Sequence, residues 1–418
     1  GGDDAGGGEP DRRRRRTRRR SLGGRLLMDA RDFFGYKSSD EEPGRRPGEA
    51  GDVTEDLPPP QLEEAITLDD PAVISRIDPG GMLDRVLEIP RQLAIAHRVA
   101  AAVELTPRHR DVDQVLVLAM GGSAIGAELV AGAAGDRLTV PLVVHRGYEL
   151  PSWANRRTLV IAASHSGQTV ETLTAVGAAR ARDLPLAVIS TGGELGRTAL
   201  ERGEPYLRYQ AEIQPRAAIG FGFGLVHELL VSAGLIERPD PFGPAIEGLD
   251  HLFERMGPAV ATDANPAKQL AWAIFGRIPI VYGAGPMTAV ARRWKTQFNE
   301  NAKAWAAYEP MPEANHNAIE GALNPRELSD ALYVIELHDA QEPKEIADRY
   351  RVVEELLGER ATNRSHVRSE GDSTLARVLW TVAFGDLVSV YLAILYQTDP
   401  TPVTLLAMLK ERLARATD

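Results

Sequence analysis

Three hydroxyl side chains stand close together in the hexapeptide Ser164-His-Ser-Gly-Gln-Thr169. The hexapeptide follows an apolar run, Thr158 to Ala163, and precedes a pattern that predicts a helix from Val170 to Arg182. At the start of a helix, free backbone amides and the helix dipole favour an anion, and Gly167 lets the backbone approach it. We therefore predict a phosphate-binding turn that needs no metal. The alternative is an ordinary helix cap, although a cap needs only one hydroxyl.

A second turn of this type is Gly121-Gly-Ser123, which lies between the apolar run 115–120 and the next helical pattern. By itself, Gly-Gly-Ser is common turn chemistry. Two such turns that follow strands of one parallel sheet would lie at the same edge, where open α/β sheets bind ligands. The two turns together therefore favour one anion site.

These turns need a sheet to hold them, and the sequence repeats a pattern of strand, turn and helix. Each strand is a short continuous apolar run, which is typical of a parallel sheet covered on both faces. The runs are Val115-Leu-Val-Leu-Ala-Met120, Pro141-Leu-Val-Val-His145, Thr158-Leu-Val-Ile-Ala-Ala163 and Pro185-Leu-Ala-Val-Ile-Ser190. We therefore predict an α/β fold with a parallel sheet flanked by helices.

The repeated pattern is interrupted by Pro239-Asp-Pro-Phe-Gly243, which is dense in turn-forming residues. We therefore place the end of the first domain near residue 240 and its range at residues 61–240. This domain includes an N-terminal packing helix predicted over 82–103, in which Pro90 marks a kink or a break. Both hydroxyl-bearing turns belong to this domain.

A second domain follows over residues 262–418. Its strand at 278–285 runs directly into a helix at 287–303, and this arrangement echoes the strand and helix over 115–134. The echo suggests that one α/β unit has been duplicated within the chain. The second unit has no Ser-x-Ser-Gly-x-Thr turn, so we expect one phosphate site per chain.

Residues 1–60 differ from the rest of the chain. They are polar, rich in Gly and Pro and poor in apolar residues, so they cannot bury enough surface to offset the entropy of ordering. We predict a disordered, Arg-rich tail, since Arg12 to Arg20 include eight arginines. Three alternatives remain for it: binding to nucleic acid or anionic lipid, a solvated tail without a partner, or a start codon placed too far upstream.

Composition excludes several classes of protein. The net charge is −11 and would be −19 without the eight tail arginines, so nucleic acid is not an expected partner of the folded body. No run approaches about 18 uninterrupted apolar residues and no apolar signal core begins the chain, so we expect neither membrane insertion nor secretion. The absence of Cys excludes thiol nucleophiles and Cys-ligated metals. These observations favour a cytoplasmic enzyme.

The Ser-x-Ser-Gly-x-Thr turn between a strand and a helix, in a chain with a repeated α/β unit, resembles the sugar isomerase (SIS) domain. Three further segments extend the resemblance, over about residues 75–415, to the bifunctional phosphoglucose/phosphomannose isomerase family. They are Gln214-Pro-Arg-Ala-Ala218, Asn299-Glu-Asn-Ala-Lys303, and Asn315-His-Asn317 followed by Glu320-Gly321. The resemblance implies two SIS domains, a homodimer, and interconversion of glucose 6-phosphate or mannose 6-phosphate with fructose 6-phosphate without a metal or cofactor.

The resemblance also implies roles for individual residues. The 6-phosphate would be held by Gly122, Ser123, Ser164, Ser166 and Thr169. Glu300 would move a proton between C1 and C2, and Arg216 would face the enediolate. His316 would assist ring opening together with a C-terminal lysine, for which Lys410 is the best candidate. Where the family has an aromatic residue or Asn inside the turn, this chain has His165, which leaves the hydroxyls intact and could change the local pH response.

These residue types suit the reaction independently of the resemblance. Isomerisation between aldose and ketose needs a carboxylate that takes a carbon-bound proton and a fixed cation that stabilises the oxyanion. A sugar that enters as a ring also needs a proton shuttle, which imidazole can supply. Taken alone, Glu300 would be a solvated helix-end carboxylate and Arg216 a surface arginine. Because the chain also contains the Asn residues of these segments and His316, we favour catalytic roles for Glu300 and Arg216.

The position of His316 bears on the homodimer. Sixteen residues separate it from Glu300, and Pro310 and Pro312 prevent one continuous helix between the two. We expect an irregular arm and, because the histidine of the resembled family reaches the neighbouring subunit, insertion of His316 into the partner's site. The alternative is an arm that folds back onto its own chain.

Other functions stay open at this point. A non-catalytic SIS module that senses a sugar phosphate would be expected to lack the Glu and the His, and both are present. An amidotransferase that makes glucosamine 6-phosphate would need an N-terminal Cys, which this chain lacks. An ammonia-dependent deaminase is a further alternative. The preferred hexose is not determined, since glucose and mannose 6-phosphates share one enediol, and Thr401 is a candidate for discriminating between them.

Overall fold

The structure is a computed structural model that describes residues 67–325, 330–358 and 363–416. The α/β fold predicted from the sequence is confirmed, because two parallel sheets are flanked by helices. The tail predicted over residues 1–60 lies outside the described residues. The domain limits stay predictions, and one sheet falls within each of the two predicted ranges.

The first sheet has five parallel strands in the order β2-β1-β3-β4-β5. They are β1 Gln114–Ala119, β2 Leu142–His145, β3 Thr158–Ala163, β4 Leu186–Ser190 and β5 Tyr206–Arg208. Val115 and Val117 of β1 lie in one apolar cluster, whereas Leu116 and Leu118 lie in another. Because both faces are buried, the strand is a continuous apolar run. The pattern missed β5, which has only three residues.

Helices precede the first sheet, connect its strands and follow its last strand. They are α1 Pro71–Ile77, α2 Met82–Leu87, α3 Ile89–Ala101, α4 Pro107–Arg110, α5 Gly121–Ala134, α6 Val170–Ala181, α7 Gly193–Arg202 and α8 Ile219–Ser232. The packing helix predicted over 82–103 is two helices, and Glu88 separates them. Pro90 stands in the first turn of α3, where its missing amide removes no helical hydrogen bond.

The second sheet has four parallel strands in the order β7-β6-β8-β9. They are β6 Ile278–Ala284, β7 Ala307–Met311, β8 Leu332–His338 and β9 Arg364–Arg368. The prediction of an irregular arm between Glu300 and His316 is wrong in part, because β7 lies in that segment. Pro310 is tolerated there since β7 is an edge strand, where one side of the backbone needs no sheet partner. Two short 3-10 helices, Glu313–His316 and Ala318–Leu323, follow β7.

The second half contains six α-helices among the described residues, and one of them, α13, is the buried core helix. They are α9 Phe242–Met256, α10 Pro266–Ile274, α11 Pro286–Glu300, α12 Lys344–Leu357, α13 Thr374–Leu395 and α14 Thr404–Ala416. Helix α13 packs against α9, α10 and α11, and α11 also packs against α5 of the first half. The end of α11 is therefore held close to the elements that follow the first sheet.

Helix α13 is long and apolar enough to cross a membrane, with a mean hydropathy of 2.0. The whole of this apolar stretch is buried inside the fold. A core helix passes the same test of length and composition, so α13 alone is weak evidence for a membrane span. Its buried Arg377 and Asp386 interrupt the apolar sequence and have partners within the fold.

Candidate active site

The predicted phosphate turn lies between β3 and α6. Thr169 immediately precedes α6, but its side chain does not cap the helix. Its hydroxyl lies 2.9 Å from the Oγ of Ser164, which is buried. The first backbone amides of α6 therefore donate no hydrogen bond to the side chain of Thr169, the residue at the usual capping position. This arrangement fits an anion site better than an ordinary helix cap.

Gly167 gives the turn its shape. Its φ of 66° lies in the left-handed region, which favours glycine. A Cβ atom at this position would also collide with the carbonyl oxygen of Gly192. The turn is therefore packed tightly against the loop that follows β4, while Ser166 stays exposed at its outer side.

The second turn, Gly121-Gly-Ser123, meets the first one directly. The backbone amide of His165 donates to the Oγ of Ser123 over 3.2 Å. A Cβ atom at Gly122 would lie 3.1 Å from the backbone of Pro215 and Arg216. Gly122 thus allows the Arg216 segment to pack against the second turn, and the two turns lie together at one edge of the sheet.

Arg216 joins this edge to the second half of the chain. Its side chain is only 3 % exposed, although on sequence grounds alone a surface position is the common one. The guanidinium donates from Nε to Asn301 Oδ1 over 2.6 Å, from Nη2 to the carbonyl of Thr401 over 2.9 Å, and from Nη1 to Glu300 Oε2 over 3.4 Å. Burial lowers the pKa of this guanidinium. The predicted cation and the predicted base are therefore in contact.

A buried ion pair supports the backbone of Arg216. The side chain of Arg293 on α11 donates to the Arg216 carbonyl over 3.0 Å and to Asp386 on α13 over 3.0 Å and 2.5 Å. Asn301 is held in turn by Ser389, 2.8 Å away. These bonds tie the cation, the end of α11 and the core helix α13 together.

Lys303 is a site residue to which sequence reasoning gave no role. Its ammonium donates to the carbonyls of Glu300 and Asp399, both over 2.8 Å, and to two more carbonyls in the same segments. The residue as a whole is exposed, yet desolvation of the ammonium and the nearby Arg216 lower its pKa to about 8. Lys303 belongs to the segment Asn299-Glu-Asn-Ala-Lys303, and membership of this segment was the sequence signal that could have identified it.

A cavity of about 320 Å³ opens beside this cluster. His165, Gln214, Thr401 and Arg85 are among its lining residues. Burial lowers the pKa of His165, and its Nδ1 lies 2.9 Å from the hydroxyl of Tyr209. The cavity therefore adjoins both the phosphate turn and the carbonyl of Thr401 that Arg216 binds.

His316 and Lys410 lie apart from this cluster. Both side chains are exposed, on the 3-10 helix after β7 and on α14 respectively. Within the part of the chain that the structure describes, no hydrogen bond or ion pair joins either residue to Glu300 or Arg216. Their roles in ring opening stay predictions.

Two parallel sheets flanked by helices, with a hydroxyl-rich turn between β3 and α6 and an Arg–Glu pair that joins the two halves, define a protein of the SIS class. Residues 263–413 match the family described as bacterial phospho-glucose isomerase C-terminal SIS domain. A bifunctional phosphoglucose/phosphomannose isomerase from Caldicellulosiruptor bescii is 36 % identical over 339 residues, which are 81 % of this chain and 100 % of the relative. The chain belongs to the bifunctional phosphoglucose/phosphomannose isomerase family.

A second relative supports the family, and a solved structure supports the fold. A bifunctional phosphoglucose/phosphomannose isomerase from Aquifex aeolicus is 32 % identical over 75 % of this chain and 93 % of the relative. The crystal structure of a glucose-6-phosphate isomerase like protein from Thermus thermophilus matches with a TM-score of 0.55 at 21 % identity, over 82 % of this chain and 100 % of that chain. The fold and the family expected from the sequence are confirmed.

Proposed function

We propose that this protein is an aldose-ketose isomerase that interconverts glucose 6-phosphate and mannose 6-phosphate with fructose 6-phosphate without a metal in the reaction. Family membership supports the reaction, and one observation supports its location. That observation is the buried Arg216, which packs against the Gly122 turn and contacts Glu300. Phosphate binding and proton transfer would thus share one site.

The chemistry divides among a few groups. The 6-phosphate would accept hydrogen bonds from the turn hydroxyls of Ser123, Ser166 and Thr169 and from the first amides of α6. Glu300 would take a proton from one of the carbons C1 and C2 and return it to the other, through a cis-enediolate. Arg216 would stabilise the oxyanion that develops. The hydrogen bond from Arg216 Nη1 to Glu300 is the longest that Arg216 makes. It is therefore the bond that Arg216 can most easily give up in order to bind the substrate oxyanion.

The test is the variant Glu300→Gln, assayed separately with glucose 6-phosphate and mannose 6-phosphate while fructose 6-phosphate is followed. The amide keeps the shape but accepts no proton, so we expect kcat to fall by at least about 10²- to 10⁴-fold with both substrates. Affinity for an unreactive phosphorylated sugar acid should stay the same. Glu247→Gln, at an exposed position of α9, is the matched control and should behave as wild type. Retention of more than a few per cent of kcat would remove Glu300 as the base.

The proposal includes a homodimer in which His316 serves the neighbouring subunit and Lys410 assists ring opening. Two observations support a second copy of the chain as partner. His316 is exposed and has no contact with Glu300 of its own chain among the described residues. Helix α14 exposes Leu405, Leu406 and Leu409 by 60 %, 46 % and 53 %, an apolar face of the kind that oligomer interfaces cover.

Mixing of subunits tests this part independently. Glu300→Gln and His316→Ala chains, each inactive alone, are mixed under conditions in which subunits exchange. If His316 acts in the partner's site, a mixed dimer has one site with both changes and one with neither, and activity returns. Mixed dimers that form without activity would show that each chain uses its own histidine.

The same proposal assigns the protein a cellular role, and it makes one alternative function less favoured. Interconversion of these hexose phosphates would place it in cytoplasmic glycolysis and gluconeogenesis. A non-catalytic sensor of sugar phosphates is not favoured, because the relatives that match most of the chain are isomerases. Thr401 stays the candidate for discrimination between the hexoses, as a residue that lines the cavity.

A further inference from the structure

One face of the second sheet carries a polar cluster that the isomerase reaction does not use. Glu336 and His338 stand two residues apart on β8, so their side chains leave the same face of the sheet. His366 on β9 is paired directly with Glu336. The alternate residues Ile335 and Leu337 point into the apolar core on the opposite face. Strand pairing therefore brings one carboxylate and two imidazoles together.

Three atoms of this cluster have the spacing of metal ligands. Glu336, His338 and His366 each offer one ligand atom, and these three atoms all lie within 4.8 Å of one another. The Oε2 atom is 2.9 Å from His366 Nδ1 and 3.6 Å from His338 Nε2. Zinc binds imidazole nitrogen and carboxylate oxygen at about 2.0–2.2 Å, which places neighbouring tetrahedral ligands about 3.3 Å apart. The observed distances lie on either side of this value.

Two of these atoms are buried and have no hydrogen bond. Glu336 is 2 % and His338 is 8 % exposed. Neither Glu336 Oε2 nor His338 Nε2 has a hydrogen-bonding partner, because the close His366 nitrogen is not aligned for a hydrogen bond. A buried carboxylate oxygen without a hydrogen bond is costly, and a cation between the three atoms would satisfy it in place of the imidazole contacts at 2.9 and 3.6 Å.

The surroundings of His338 match those of a metal-bound histidine. Its Nδ1 lies 2.9 Å from Glu342 Oε1, and the ring of Tyr350 packs 4.4 Å from the imidazole centroid. A carboxylate on one ring nitrogen fixes the tautomer and presents the other nitrogen as an electron-pair donor. Here the other nitrogen is Nε2, which is directed at Glu336.

The charges of the cluster also favour a divalent cation. Arg364 Nη1 lies 3.7 Å from Glu336 Oε1 and 3.6 Å from Glu354 Oε1, so it faces the oxygen of Glu336 that the three-atom set does not use. Glu336, Glu342 and Glu354 together with Arg364 leave a net charge of −2 when both imidazoles are neutral. One divalent ion neutralises this charge.

We propose that Glu336 Oε2, His338 Nε2 and His366 Nδ1 bind one divalent first-row transition metal ion, for which Zn²⁺ is the probe. The ion would be structural and separate from the isomerase reaction. Tyr350, which packs on His338, also lies in an apolar cluster with Ala314 of the segment that carries His316. The ion would therefore hold α12 and that segment against the second sheet.

The test uses the full-length, untagged chain after treatment with a chelator and removal of that chelator. Elemental analysis and titration calorimetry with Zn²⁺ should give one ion per chain. His366→Gln changes a half-exposed side chain and so should fold normally, while Zn²⁺ affinity falls more than about 100-fold, since changes beyond the ligands alone cost about 10- to 100-fold. Glu342 contacts His338 but is not a proposed ligand, so Glu342→Gln should lower Zn²⁺ affinity by only about 10- to 100-fold.

His251→Gln, at an exposed histidine of α9, is the matched control and should keep wild-type affinity. Substitution by Co²⁺ should give visible absorption bands in the wild type that His366→Gln lacks. Failure of the wild type to bind one Zn²⁺, or equal binding by wild type and His366→Gln, would overturn the proposal. In that case the cluster would be a network of protonated histidines and carboxylates.

Discussion

The same unit of strand, turn and helix occurs in both halves of the chain, but its turns differ. In the first half, β1 and β3 run into turns with hydroxyl side chains that meet each other. In the second half, β6 runs through Gly285 into α11, which starts with Pro286, and the hydroxyl of Thr288 donates back to the Gly283 carbonyl over 3.1 Å. Because Pro has no N–H, this turn offers fewer donors to an anion.

The two halves would therefore contribute opposite ends of two different helices, α6 and α11, to the proposed site. The first half uses the beginning of a helix, α6, where amides and hydroxyls can hold a phosphate. The second half uses the end of a helix, α11, where Glu300 contacts Arg216 from the first half. A duplicated unit can thus divide binding and reaction between its copies, and the following variants test that division.

The largest effect is expected from Arg216→Lys, because Arg216 is the bridge between the halves. Lysine keeps the charge but cannot reach Asn301, Glu300 and the Thr401 carbonyl together. We expect kcat to fall by about 10²- to 10³-fold, as on loss of an oxyanion-stabilising donor. Arg292→Lys, at a half-exposed arginine of α11, is the control for steady-state kinetics and thermal melting. A wild-type kcat in Arg216→Lys would mean that the halves do not share one reaction site.

A smaller effect should separate the two kinds of turn. Ser166→Ala and Thr169→Ala remove donors to a non-reacting phosphate, so each should raise KM by about 10-fold with little change in kcat. Thr288→Ala removes the hydroxyl at the turn that leads into α11 and should leave KM unchanged. Equal increases for all three variants, measured by steady-state kinetics, would contradict the assignment of phosphate binding to the first half.

The dependence of kcat on pH tests the role of Lys303 in the second half. Burial and Arg216 lower the pKa of Lys303 to about 8, so its ammonium is charged below that pH and neutral above it. If the charge assists stabilisation of the enediolate, kcat should fall as pH rises through about 8. Lys303→Arg keeps the charge and should move this alkaline limb to higher pH. An identical limb in both proteins would assign it to another group.

The smallest effect is expected outside both halves. Removal of residues 1–60 should leave kcat, KM and the melting temperature unchanged, because a polar segment with few apolar residues contributes little folding free energy. The comparison is between the truncated and the full-length chain by calorimetry and kinetics. A clear loss of stability would show that the interpretation of this segment as a tail is wrong.

Local patterns predicted those parts of the fold that local physics determines. The strands β1 and β3 are continuous apolar runs because both sheet faces are buried, and the hydroxyl turns are short enough to read in sequence. Strand β9, with the sequence Arg-Ser-His-Val-Arg, gave no such pattern, because its Arg364 and His366 face the cluster around Glu336. It was therefore missed.

The candidate site needed contacts that no local pattern contains. Arg216 binds the carbonyl of Thr401 and the side chain of Asn301, which are distant in sequence and come together only in the folded chain. For the same reason, the carbonyls of Asp399 and Pro400 around Lys303 could not be anticipated. The resemblance to a family supplied roles for Glu300 and Arg216, and the fold supplied their contact.

The hydrogen bonds of Arg216 also bear on the entropy of activation. Three of its acceptors, Asn301 Oδ1 and the carbonyls of Pro400 and Thr401, belong to the protein itself. The guanidinium is thus oriented before any sugar arrives, and the loss of side-chain freedom occurs during folding instead of during each turnover. Loosening these acceptors, for example by Asn301→Ala, would move that ordering into the catalytic cycle. The rate would then show a less favourable activation entropy in an Eyring plot, even where the chemical groups that react are unchanged.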